Sequence, residues 1–89
     1  MQIREMLTDF VVENFLFGRH GELKDDDSFQ ENGIIDSTGV LELIAFIEER
    51  FAIRLHDSDL IPENLDSIRR VTDFVQRQLS VTTERSDAA

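Results

Sequence analysis

Ile34-Ile35-Asp36-Ser37-Thr38-Gly39-Val40-Leu41-Glu42-Leu43-Ile44-Ala45-Phe46-Ile47-Glu48-Glu49-Arg50-Phe51 is the most informative run in this chain. Val40, Leu43, Ile44, Ile47 and Phe51 recur at steps of three and four, which is the spacing of one helix face. Asp36 suits the N-cap, because its carboxylate accepts orphan backbone N–H bonds and favours the positive end of the helix. The run therefore predicts a helix that opens at Ser37, with a hydroxyl at its mouth and an acid before it. Thr38, Leu41, Glu42, Ala45, Glu48 and Glu49 fall on the outward face. There Leu41 and Ala45 make a small apolar spot rimmed by acids. That composition suits a transient docking surface, where charges steer and a few apolar contacts hold.

The same periodicity predicts a first helix over residues 2–17, with Ile3, Met6, Leu7, Phe10, Val11 and Phe15 inward and an end near Gly18. Residues 18–36 form a long polar stretch that needs apolar pins to hold it, and Phe29 with Ile34 or Ile35 are the candidates. Phe51, Ile53 and Leu55 alternate like a short strand, but no partner strand exists, so an extended connector packed on the helices is expected. Asp57-Ser58-Asp59 can cap a short helix over residues 60–65, with Pro62 in its first turn. Asp66 or Ser67 caps a last helix carrying Ile68, Val71, Phe74, Val75, Gln78 and Leu79. The architecture expected is all-α, a small four-helix bundle of three main helices and one short one. Residues 1–79 form the domain and residues 80–89 a flexible polar tail.

Composition narrows the function. One small domain fits 89 residues, and 40% apolar residues in periodic order argue against wholesale disorder. The net charge of -10 repels nucleic acid and anionic lipid and favours basic protein surfaces, with an attraction that salt weakens. No cysteine is present, so neither a disulfide framework nor a thiolate metal site can form, and any thiol chemistry must be imported. The first residues show no signal-peptide pattern and no apolar run approaches a membrane span. A cytoplasmic monomer that does not insert into membranes is expected.

Asp36-Ser37, the Leu43-centred core stripe, Phe51-Ala52-Ile53, the acidic Asp57-Ser58-Asp59 and Asp66-Ser67-Ile68 together resemble the phosphopantetheine-dependent carrier proteins, the acyl, aminoacyl and peptidyl carriers. The resemblance covers about Ile3 to Leu79. It implies the acyl-carrier-protein fold, a 4′-phosphopantetheine arm from coenzyme A on Ser37, and recognition of Asp36 by a magnesium-dependent phosphopantetheinyl transferase. It also implies docking through acids such as Glu42, Glu48 and Glu49, and a carrier rather than an enzyme, with no catalytic residue of its own. Fatty-acid carriers usually place an acid two residues after the serine, whereas Gly39 stands here. Ser37-Thr38-Gly39 is closer to the Asp-Ser-Met-Gly pattern of D-alanyl carriers and to stand-alone aminoacyl carriers. The resemblance therefore leans to an amino acid or small acyl cargo, loaded by a separate amino acid or acyl:carrier protein ligase and passed to a downstream transferase. An acyl carrier of fatty-acid or polyketide synthesis, carrying longer chains, is the alternative.

Other classes fit less well. Asp25-Asp26-Asp27 invites an acidic interaction protein or a calcium-binding one, but no frame places acids and glycine at EF-hand positions. His20 and His56 are too few for a zinc site. Ser37 lacks the Gly-x-Ser-x-Gly elbow of a hydrolase, and no oxyanion device is visible. No metal site is expected. The seven phenylalanines, at 10, 15, 17, 29, 46, 51 and 74, are expected in the core. A bulky Phe46 is expected to reduce the room for a buried acyl chain.

Overall fold

The computed structural model describes residues 3–18 and 23–88, with side chains described as far as Ser80. The chain is all-helical: α1 spans Ile3–Phe15, α2 Ser37–Phe51, α3 Pro62–Leu65 and α4 Ile68–Ala88, with a 3-10 turn at Asp57–Asp59. No strand occurs among the described residues, and Ile53 to His56 run as the expected connector.

One core joins all the parts. Leu7, Val11, Leu43, Ile47, Ile68, Val71 and Val75 are buried at its centre, and Phe29, Ile35, Phe51, Ile53 and Leu65 plug into it from the loops and helix ends. α1 and α2 run antiparallel: the Phe10 ring stacks on Phe46 at 4.2 Å between centroids, and Phe15 reaches Gly39 at the opposite end of α2's contact with α1. Val12 and Leu16, outside the expected stripe of α1, are also buried.

The long loop is pinned through Asp66. The Ser28 hydroxyl and the Gln30 amide donate to the Asp66 carboxylate, and the Phe29 amide donates to the Asp66 carbonyl at 2.7 Å. Ser67, not Asp66, caps α4, its Oγ accepting from the Arg70 amide at 3.2 Å. Of the two candidate caps, only Ser67 is left free to do so. Further along the loop, Asp25 and Asp26 meet Arg4 and Arg69 in ion pairs of 2.6 and 2.5 Å.

Two expectations need correction. Asp57 to Asp59 do not cap α3. They form their own 3-10 turn, closed by the His56 amide donating to Asp59, and α3 starts after Ile61 with Pro62 at its first position. α4 spans Ile68–Ala88, and its last nine residues contain neither glycine nor proline to break the hydrogen-bond ladder. Phe17 is not a core residue: it is 85% exposed.

Candidate functional site

Asp36 sits in an extended conformation (φ -93°, ψ -175°), and its Oδ1 accepts the Gly39 amide at 2.7 Å. The Asp36 carbonyl takes the Val40 amide at 2.9 Å. These two bonds fix the first turn of α2 and leave the amides of Ser37 and Thr38 at the open end of the helix. Ser37 is the first helical residue and is exposed.

A second constraint comes from Gly39. A Cβ at that position would lie 2.7 Å from Phe15 Cε1 and 2.9 Å from Ile35 Cγ2. Only glycine allows α1 and the end of the loop to close on α2 here. The mouth of α2 is thus held from both sides, by its own cap and by the Phe15 ring.

Beside Ser37 lies a cleft of about 600 Å³. Phe29, Ile35, Val40, Leu60, Ile61, Pro62 and Leu65 give it an apolar wall, and Gln30, Asp36 and Asp66 give it a polar edge. Its far wall is fastened to α4, since Arg70 donates to the Pro62 carbonyl and Arg77 to Asn64 Oδ1, each at 3.2 Å.

The outward face of α2 is arranged as the periodicity predicts, with one difference. Thr38, Leu41, Glu42, Ala45 and Glu49 are exposed, and Leu41 is 65% exposed. Glu48 is half-buried and holds the backbone instead. Its Oε2 accepts the Leu55 amide at 2.9 Å, which ties the connector to α2. An acid at that helical position signals a solvated face, and nothing in the sequence shows the bond to a residue seven positions later. Phe46 does not line the cleft. It packs on the α1 flank against Phe10 and Phe51, so it takes no space from a group lodged beside Ser37.

The acidic run 25–27 is engaged rather than open. Arg4 bonds to the Asp25 carboxylate, Arg69 bonds to Asp26 through two nitrogens, and the Lys24 amide donates to Asp27. The guanidinium of Arg4 holds the Asp25 carboxyl below the usual carboxylate range and is itself pushed above its ordinary value by the same bond. Among the described residues no group of three or more His, Asp or Glu is placed to hold a metal ion. His56 is exposed, and His20 lies outside the described residues. No helix among the described residues is long and apolar enough to cross a membrane.

An exposed hydroxyl on the first residue of a capped, fifteen-residue helix fits a covalently tethered anionic group, because the free amides and the helix dipole face it. The family model described as the phosphopantetheine attachment site matches residues 17–75, a span that contains Asp36, Ser37, the cleft and most of the core. The chain belongs to this family, the carrier proteins that bear a covalently attached 4′-phosphopantetheine group.

Proposed function

We propose that Ser37 is the attachment residue and that this chain is a stand-alone carrier, without catalytic activity, which holds an activated amino acid or small acyl group as a thioester. The observation that carries this reading is the placement of Ser37: exposed, first in α2, on backbone fixed by Asp36 and by the Phe15–Gly39 contact. A tether needs a fixed exit point, and a rigid helix mouth provides one better than a mobile loop. The amides of Ser37 and Thr38 suit the phosphodiester that joins the arm to the chain. Once attached, the group supplies the terminal thiol that this cysteine-free chain lacks.

Asp36 serves the transferase as well as the helix. Its Oδ1 is taken by the Gly39 amide, which leaves Oδ2 for the magnesium-dependent enzyme. Thr38, Leu41, Glu42, Ala45 and Glu49 form the docking face for that transferase, for the ligase that loads the thiol and for the downstream acceptor. Glu48 contributes less, because its carboxylate is committed to Leu55. The small-cargo assignment rests on the Ser37-Thr38-Gly39 pattern. Residues 1–79 are the functional unit and residues 80–89 an appendage to it.

One observation favours a second reading. The apolar wall of the cleft beside Ser37 has room for a chain of several carbons, which suits an acyl carrier of fatty-acid or polyketide synthesis. ATP-dependent loading of the holo-protein by ligases encoded near its gene, with amino acids and with fatty acids of increasing length, separates the two. Loading with amino acids or short acids supports the first reading. Loading with long fatty acids alone overturns it.

A further inference from the structure

Among the described residues the exposed large hydrophobics are Phe17, Leu41, Leu60 and Ile61. All four gather around one end of the molecule. Leu60 and Ile61 line the cleft that also contains Ser37, and Leu41 lies one helical turn after Ser37. Phe17 comes from the other flank. Phe15, two residues before it, touches Gly39, two residues after Ser37, so the end of α1 adjoins the mouth of α2.

Phe17 stands out in two further ways. The residue is 85% exposed, and it ends α1 in a left-handed conformation at φ 54°, a capping position that glycine usually takes. The turn itself is closed by Gly18, whose amide donates to the Val12 carbonyl at 3.0 Å, and it needs no aromatic ring. Among the described residues no hydrogen bond or ring contact engages Phe17. The surroundings indicate what would cover it. Glu5, Asp9 and Glu13 form an exposed row at four-residue spacing that leads to position 17, and Glu42 and Glu49 are exposed on α2.

We propose that Phe17 is an apolar anchor for the phosphopantetheinyl transferase that modifies Ser37, seated in a pocket of that enzyme ringed by lysine or arginine. The inference rests on the carrier reading and extends its docking face from α2 to the end of α1. Burial of one ring inside a rim of complementary charge has the composition of an interface hot spot, with the acids steering approach and the ring holding the complex.

The test uses the full chain with a broad-specificity phosphopantetheinyl transferase and coenzyme A. Phe17→Ser is expected to raise KM for the carrier about tenfold at unchanged kcat, in line with loss of one anchor, and Phe17→Leu to recover most of it. Phe17→Gly separates docking from folding. Glycine relieves the left-handed strain, so this variant should melt no lower than the wild type and still show the raised KM. An unchanged KM in Phe17→Ser, or a lower melting temperature in Phe17→Gly, overturns the anchor. So does sedimentation showing that the wild type dimerises through Phe17, since the ring would then cover a second copy of this chain. If the wild type acquires no mass on Ser37, the carrier reading itself fails and takes the anchor with it. A modified wild type with an indifferent Phe17 refutes the anchor alone.

Discussion

The edge of the Phe15 ring and residue 39 occupy adjoining space: Phe15 Cε1 lies 2.7 Å from where a Cβ on Gly39 would stand. This pairing links the end of α1 to the mouth of the helix that bears Ser37. It also gives the glycine at this position a structural reason, independent of cargo. An acid two residues after the serine, as fatty-acid carriers have it, would drive the ring out and crowd the Asp36 carboxylate, which lies 3.3 Å from the same point.

Gly39→Ala is therefore expected to destabilise. Overpacking costs roughly 1–3 kcal/mol. The gain in helix propensity returns about 1 kcal/mol of it. The neighbour that cannot yield is Ile35, a buried β-branched residue whose Cγ2 is tied close to its backbone. Thermal melts should show a fall of several degrees, and Phe15→Leu in the same chain should recover part of it non-additively. A Gly39→Ala protein as stable as the wild type would show that the Phe15–Gly39 pairing does not hold the helix mouth.

Asp36 caps α2, and substitution can separate this role from the transferase recognition proposed for it. Asp36→Ala loses the N-cap and should lower stability by about 1 kcal/mol. Asp36→Asn keeps an acceptor for the Gly39 amide and should melt close to the wild type. Both variants lack the carboxylate, and both should be modified slowly by the transferase. If Asp36→Asn is modified at the wild-type rate, Asp36 is a cap and nothing more.

The Arg4–Asp25 pair makes a small acid-side contribution to stability. Asp25 is held below its ordinary range chiefly by its hydrogen bond from Arg4. A carboxyl depressed in the folded state stabilises at pH above its unfolded value, about 3.9, and the contribution disappears as pH falls through the lower folded value. Arg4→Gln should thus be less stable than the wild type at neutral pH and indistinguishable from it in strong acid, in denaturant titrations across pH. Both side chains are substantially exposed, so the difference should also shrink in high salt. A gap that persists in strong acid would assign the effect to packing of the Arg4 stem.

Much of the fold was legible because short-range rules govern it. The α2 stripe, the Asp36 cap and the pinning of the loop by Phe29 and Ile35 follow from periodicity, capping chemistry and the need to hold a long loop down. The geometry at Asp36 and Ser37 was legible to the same extent, because the two lie adjacent in sequence and their placement is set within one helical turn. What stayed hidden depends on distant partners. Asp66 looks like a cap until Ser28 and Gln30 claim its carboxylate from 38 and 36 residues away. Glu48 looks solvated until the connector folds back onto it. Phe17 looks like core because aromatic composition alone does not distinguish a ring inside the last helical turn from one just past it. The cleft arises where α2, the loop and α3 meet, and no local pattern marks it.

Everything proposed for this chain depends on the hydroxyl of Ser37 carrying the prosthetic group. Intact-mass spectrometry of the chain after incubation with coenzyme A and a broad-specificity phosphopantetheinyl transferase measures this without intermediary. The expected outcome is the addition of one phosphopantetheine, localised to Ser37 by fragmentation and abolished in a folded Ser37→Ala protein. No added mass on the wild type, or an addition that survives Ser37→Ala, would refute the assignment.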